Sequence, residues 1–277
     1  MNFWHAILLG VVQGIAEFLP ISSSGHLAVL QNLFQISAPG ENDLFFDILL
    51  HIGTLFAVLL AYRKDISAFI REAPAVLRKK TNEKTQKSAS LSLRLLLLLI
   101  IAAAPLVLVL FFKRFVEQLY YDTFFISAAF AVTGLILFLS DRYAAGEKDL
   151  KETSVTDALV IGFAQTLAVV PGLSRSGATI SAGLCCGLSR PFAVKFSFLL
   201  SIPAILGALL ASIPDAITAQ PQLSLLPLYL SGMLTSAVLG YFSIRLIDKI
   251  SKTGTFGGFA YYCWGAGLLT FFLSLIA

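Results

Sequence analysis

Charge is scarce in this chain of 277 residues: Asp, Glu, Lys and Arg together make up 13% of it, against 57% hydrophobic residues. A soluble globular chain carries about a quarter charged residues, so that class is excluded. Cysteine is nearly absent as well. Of the 3 present, Cys185 and Cys186 are adjacent and Cys263 is remote, all in apolar surroundings. This spacing fits neither a disulfide framework nor a zinc site, and the three read as small packing residues. Missing too is a basic segment ahead of the first apolar run. Met1 to His5 reads Met-Asn-Phe-Trp-His with no small-residue cleavage site after it, so a removable signal peptide is not expected. The formal net charge of +4 does not point to nucleic acid, because the basic residues concentrate in one segment that membrane topology explains.

What the chain has instead is a series of apolar runs long enough to cross a bilayer, which makes it a polytopic membrane protein. Residues 2–19 and 24–35 flank Pro20 and a serine-rich turn. Neither fills a hydrocarbon core of roughly 30 Å, which takes about 20 residues. A break at membrane depth is tolerated only inside protein or beside a watery cavity. A re-entrant hairpin with the break at its tip meets both conditions. Residues 44–62 read as the first full span, with Asp47 and His51 on one face at i, i+4 spacing. A hydrogen-bonded pair is the simpler reading of those two, since no third ligand has helical spacing to them. Arg63 to Arg94 carries nine basic residues against three acids, which assigns it to the cytoplasm. Spans at 93–112 and 121–140 follow, then a hydrophilic linker, 141–155, on the same side. A second broken hairpin, 156–188, and spans at 192–213, 226–246 and 256–276 complete the chain.

The expected fold is thus an all-α polytopic membrane protein with six transmembrane helices plus two re-entrant helical hairpins. It forms a single integral membrane domain over 1–277, with a first repeat over 1–140 and a second over 156–277. Three spans per half invert the second half, and inverted repeats bring their broken helices face to face near the midplane. The first hairpin would enter from outside and the second from the cytoplasm, leaving both chain ends outside. Gly10/Gly14 and Gly183/Gly187 are small-xxx-small pairs that would let the hairpin helices pack closely, and they are also compatible with a homodimer.

The repeat is visible in the residues. Gln13 to His26 packs Glu17, Ser22, Ser23, Ser24, Gly25 and His26 into fourteen positions of an otherwise apolar stretch. At an offset of 152 residues, the distance from Gln13 to Gln165, Gly10, Gln13, Ala16, Ser22, Ser24 and Gly25 meet Gly162, Gln165, Ala168, Ser174, Ser176 and Gly177. The chemistry differs at three aligned places: Glu17 meets Val169, Ser23 meets Arg175, and His26 meets Ala178. One tip supplies acid, hydroxyl and imidazole, and the other a fixed cation.

Serines and glycine at a break followed by a new helix expose backbone N–H groups, a ready site for phosphate. Arg175 adds a planar fork suited to phosphate oxygens. Ser23 could attack phosphorus if His26 or Glu17 accepts its proton. For either tip alone, capping of backbone groups is the simpler reading. The two tips together, with complementary chemistry, point to a working site.

At these residues the chain resembles the undecaprenyl-diphosphate phosphatase family of bacteria, the bacitracin-resistance proteins. That family carries (E/Q)-x-x-x-E, P-x-S-S-[ST]-G-H and P-G-x-S-R-S-G motifs, which stand here as Gln13 to Glu17, Pro20 to His26 and Pro171 to Gly177. The resemblance implies hydrolysis of the polyisoprenoid lipid undecaprenyl diphosphate to undecaprenyl phosphate and phosphate. This would recycle the carrier for peptidoglycan and other wall polymers at the bacterial cytoplasmic (inner) membrane, in a site opening to the periplasmic face. It implies that Glu17, Ser23, His26 and Arg175 are catalytic, and that Gln13, Ser22, Ser24, Gly25, Ser174, Ser176 and Gly177 bind substrate. Direct attack by water, with Ser23 only positioning the phosphate, is the other route. No metal ligand set and no tightly bound cofactor is expected, but a divalent cation, calcium or magnesium, could accompany the diphosphate. The rival class is a lipid-phosphate transporter or flippase, because inverted repeats with broken helices also build transporters.

Overall fold

The computed structural model describes residues 2–34, 41–77, 83–143, 146–218 and 223–276, and every regular element among them is helical. Twelve α-helices run in chain order: α1 (Phe3–Ala16), α2 (Ser23–Phe34), α3 (Glu41–Ala61), α4 (Arg63–Leu77), α5 (Glu83–Ala103), α6 (Val109–Leu119), α7 (Thr123–Tyr143), α8 (Val155–Leu167), α9 (Arg175–Cys185), α10 (Arg190–Thr218), α11 (Leu226–Thr253) and α12 (Gly257–Ser274). Among the described residues four stretches are long and apolar enough to cross a membrane: Ser90–Leu119, Thr123–Arg142, Arg190–Ser212 and Leu226–Thr253. A fifth is the pair α3 and α4, bent by 75° at Tyr62. The chain is therefore a multi-pass membrane protein built of helices.

Two expectations need correction. The basic segment Arg63 to Arg94 is not a plain loop. Its first part is the amphipathic helix α4 and its last part opens α5, while Arg78, Lys79 and Lys80 lie outside the described residues. The span expected at 93–112 is also longer than predicted. It starts as α5, tightens into a 3-10 turn over Ala104–Leu108 around Pro105, and continues as α6. Proline lacks the amide that would bond back to the preceding turn, so the regular ladder cannot run through it.

The two broken pairs fall where the sequence puts them. Helix α1 has 14 residues and α2 has 12, about 21 and 18 Å at 1.5 Å per residue, each too short to cross alone. Helices α8 and α9, with 13 and 11 residues, are equally short. The arms of each pair pack on each other.

Helix pairing in lipid rests on close contact rather than on expulsion of water, and the glycines carry it here. A methyl group on Gly10 would come within 2.5 Å of the Gly232 carbonyl oxygen, and one on Gly14 within 2.7 Å of that of Ser236. Both therefore seat α1 on α11. They are spent inside the chain, on α11 rather than on the partner arm, and give no support to a homodimer. Elsewhere α12 lies along α7, α3 packs on α11 and on α10, and α5 packs on α8 and α10. Large apolar side chains such as Trp4, Phe111, Phe112 and Leu234 cover the outside, as a surface facing lipid requires.

Polar pairs gather around the N-terminal end of α10. Lys195 pairs with Asp65, the Tyr62 hydroxyl donates to Asp248 at 2.8 Å, and Arg190 donates to Asp141 at 2.9 Å. Arg94 donates to the carbonyls of Leu150 and Thr153 at 3.1 and 2.8 Å, tying α5 to the linker. Ser154 and Asp157 form a capping box at the start of α8, and Lys148 lies 3.4 Å from Asp157. Burial pushes the Asp157 carboxyl up, but the bonds from Ser154 and the charge of Lys148 outweigh it and hold the group below its ordinary value.

Candidate functional site

Both breaks are capped by their own serines. At the first, Ser22 adopts φ 68, a left-handed conformation that a side chain disfavours. Among the described residues no other non-glycine residue has a positive φ. Three bonds hold it there: the Gly25 N–H donates to its Oγ at 3.2 Å, its hydroxyl donates to the Leu173 carbonyl at 3.3 Å, and His26 Nδ1 donates to its own carbonyl at 2.7 Å. At the second break, Ser174 Oγ accepts from the Gly177 N–H at 3.0 Å, and its own N–H donates to Thr133 Oγ1 at 3.1 Å. Ser176 donates across to the Leu19 carbonyl at 3.2 Å. Each tip thus reaches for a carbonyl of the other.

The tips touch at their glycines. A methyl on Gly25 would lie 2.8 Å from Gly172 Cα and 2.8 Å from Phe130 Cζ, and one on Gly177 would meet Pro20 Cβ at 3.4 Å. Gly172 itself has φ 91, a conformation open to glycine at no steric cost.

The contact brings one carboxylate and its partners together. Glu17 lies one residue past α1, 8% exposed. Its Oε2 accepts from the Ser23 hydroxyl at 2.6 Å and from Gln13 Nε2 at 3.1 Å. Its Oε1 accepts from Arg175 Nη2. Ser23 and Arg175 are the first residues of α2 and α9. They hold the same place in the two copies, and each bonds a different oxygen of Glu17. The carboxylate of this ion pair is further hydrogen-bonded, by Ser23 and Gln13, which offsets part of the cost of holding it at depth.

A cavity of about 460 Å³ opens on this cluster. Glu17, Ser22, Ser23, Ser24, Ser174 and Arg175 line it. Leu106 and Val107 of the 3-10 turn, Leu110 of α6, and Pro203, Ala204, Gly207 and Ala211 of α10 line it too. Its walls are mostly apolar, and among its polar groups Glu17, Ser23 and Arg175 are bonded together.

The sequence-predicted residues divide accordingly. Gln13, Glu17, Ser23 and Arg175 form one bonded group. Ser22, Ser24 and Ser174 line the cavity, but the hydroxyls of Ser22 and Ser174 are committed to the caps. Gly25, Ser176 and Gly177 hold the tips together and do not line it. His26 faces elsewhere. Its Nε2 lies 2.8 Å from the Tyr262 hydroxyl, its ring stacks on Tyr262 with centroids 5.7 Å apart, and it lines a second, apolar cavity of about 520 Å³ with Val12, Phe130 and Leu269. Asp47 and His51 do not make the side-chain pair expected: His51 Nδ1 donates to the Asp47 carbonyl at 2.8 Å, and His51 lines the first cavity. No three His, Cys, Asp or Glu side chains converge among the described residues. Sequence reasoning missed Thr133, Tyr120 and Gln165. Thr133 donates to the Gly172 carbonyl at 2.9 Å, and Tyr120 and Gln165 line the cavity. For Gln165 the signal was present, since it is the aligned copy of Gln13; for the other two the motifs give none.

The model of a family described as "Bacitracin resistance protein BacA" matches residues 6–269. A protein of Methanosphaera stadtmanae called undecaprenyl-diphosphatase is 39% identical over 100% of this chain and 99% of its own length. One of the same name from Carboxydothermus hydrogenoformans is 40% identical over 97% and 96%. "Undecaprenyl-diphosphatase 4" of Bacillus cereus is 37% identical over 97% and 96%.

Proposed function

The chain belongs to the bacitracin resistance protein family, and from that membership we propose that it hydrolyses undecaprenyl diphosphate to undecaprenyl phosphate and inorganic phosphate. The observation that carries the reading is the bonded group of Ser23, Glu17 and Arg175 on the wall of a mostly apolar cavity. A lipid diphosphate needs those two environments side by side. The isoprenoid tail lies along the apolar walls, and the diphosphate reaches the tips. Arg175 and the N-termini of α2 and α9 then offset charge on the transferring phosphoryl group.

With Ser23 Oγ 2.6 Å from Glu17 Oε2, Glu17 is the base. It takes the Ser23 proton as Oγ bonds to the terminal phosphorus, and the bridging P–O bond breaks to release undecaprenyl phosphate. Glu17 passes that proton to the departing undecaprenyl phosphate and is a carboxylate again. It then deprotonates a water that attacks phosphorus, and Ser23 Oγ leaves and takes the proton back from Glu17 as phosphate is freed. In the direct route Glu17 activates water and Ser23 holds the phosphate. His26 acts through the backbone, holding the Ser22 carbonyl and so the tip. Arg175 occupies the carboxylate that a resident metal would need, so the residues do not fit a metal centre. A calcium or magnesium ion would arrive on the diphosphate.

We place the protein in the bacterial cytoplasmic membrane as six spans and two re-entrant hairpins, in inverted repeats over 1–140 and 156–277. Packing supports this. Exchanging α1, α2, α3, α5 and α7 with α8, α9, α10, α11 and α12 turns the α1–α11 contact into α8–α5, α3–α11 into α10–α5, and α7–α9 into α12–α2, all of which occur. An outward opening is supported by α10, whose polar pairs stand at its N-terminal end and whose cavity-lining residues run from its middle, at Pro203, to Ala211. The transporter reading finds no support in the names of the relatives. Phosphate release from undecaprenyl diphosphate by the purified protein, beside Ser23→Ala, is the test. Turnover lost in the variant is expected; a wild type that releases none, with divalent cation supplied, would overturn the reading.

A further inference from the structure

Gln165 is 1% exposed, and neither its Oε1 nor its Nε2 has a hydrogen-bond partner among the described residues. A buried primary amide with both ends unpaired is costly and rare in a folded protein. The repeat explains how it comes to be unpaired. In the first copy Gln13 donates to Glu17, four residues on. In the second copy the residue four places after Gln165 is Val169, which cannot accept. The Nε2 that is occupied in the first tip is therefore left open in the second, while Oε1 has no partner among the described residues in either copy. Gln165, Val169 and Arg175 line the same cavity, and Arg175 Nη1 is likewise buried and unpartnered.

We infer that Gln165 is a further substrate-binding residue, its Nε2 donating to a non-bridging oxygen of the bound diphosphate alongside Arg175 Nη1, and its Oε1 accepting from a cavity water. Two donors from the second tip then face the anion, while Gln13 and Ser23 of the first tip serve Glu17. Gln13 and Gln165, identical and aligned, have different tasks because a single residue, Glu17 against Val169, differs beside them.

This inference rests on the diphosphatase reading, and the experiment separates the two. Wild type, Gln165→Leu and Gln165→Glu are purified as full chains, and each is measured for phosphate release and for the rise in melting temperature caused by inorganic pyrophosphate. The Leu variant should melt no lower than wild type without ligand, because it removes unpaired polar atoms. It should lose most of the pyrophosphate shift, and its kcat/KM should fall about ten- to a hundredfold, as expected for one lost bond to a charged oxygen. The Glu variant keeps an acceptor and loses the donor, so it should fall at least as far. Gln165→Met, unbranched and of similar length, repeats the comparison on a second shape. A Leu variant within about twofold of wild type in both readouts overturns the inference while leaving the hydrolase intact, and so does a Glu variant that restores activity. A wild type that binds pyrophosphate through Gln165 but releases no phosphate supports the inference and sinks the hydrolase.

Discussion

Replacing Glu17 by Gln isolates the charge at the centre of the site. The variant keeps the shape and an oxygen for Ser23, whose bond is 2.6 Å in the wild type. It removes the proton acceptor and strips Arg175 of its counter-ion. Loss of a general base costs about 10²–10⁴ in rate, and kcat for phosphate release should fall by that much. Binding should move the other way. A diphosphate at the tips faces the Glu17 carboxylate across about 5 Å, and at an effective dielectric of about 20 that repulsion is on the order of 3 kcal/mol. Removing it, with Arg175 freed for substrate, should lower KM about tenfold or more. Stability should drop by about 2–4 kcal/mol, because a largely buried guanidinium is left unpaired, and the loss should shrink when pyrophosphate is added. Steady-state kinetics over a range of substrate, with a thermal melt beside it, read all three. A variant that keeps kcat within about threefold of wild type, or whose KM rises with kcat unchanged, refutes the assignment of Glu17 as the base.

Ser23→Ala should abolish turnover by the covalent route, and quenched single-turnover mixtures of wild type analysed by mass spectrometry should show phosphate on Ser23; its persistent absence selects attack by water. Gly25→Ala places a methyl group 2.8 Å from Gly172 Cα and from Phe130 Cζ, which should cost about 1–3 kcal/mol and lower activity by parting the tips, both read against wild type. Asp157 has a lowered carboxyl pKa in the fold, so its stabilising contribution is present above the ordinary carboxylate range and lost as pH falls through its lowered value. Asp157→Asn should cost about 1 kcal/mol near neutrality, discounted for the half-exposed Lys148, and little at strongly acid pH; an equal cost at both pH values in thermal melts contradicts that assignment.

Much of the fold was legible because lipid imposes simple rules. Length and polarity located both broken pairs and the spans at 121–140 and 192–213 within a few residues, and the start of the span at 226–246, whose helix runs on to Thr253. The bend at Tyr62 and the helix that follows were not legible: α4 is amphipathic, and a charge count over Arg63 to Arg94 registers its polar face alone. Pro105 marked the tightened turn after α5, but not that α6 would continue the rod. At the site, the offset repeat paired Ser23 with Arg175, and the structure puts both on one carboxylate. The direction of His26 could not be read from the motif. It depends on Tyr262, 236 residues away, and on a tight turn at Ser22 that carries the ring to the other side of the tip. The free amide of Gln165 was hidden for a related reason, since alignment reveals like residues and a missing partner is a property of three dimensions.

The central claim is that two tips, 158 residues apart at Glu17 and Arg175, act as one site. A double-mutant cycle of Glu17→Gln and Arg175→Lys on kcat/KM for phosphate release measures this directly. Residues that act as a unit give strongly non-additive losses, so the double variant should fall short of the summed single effects by about 1 kcal/mol or more. Effects that add within about 0.5 kcal/mol would mean that the two side chains work apart, and the account of a shared site would be wrong.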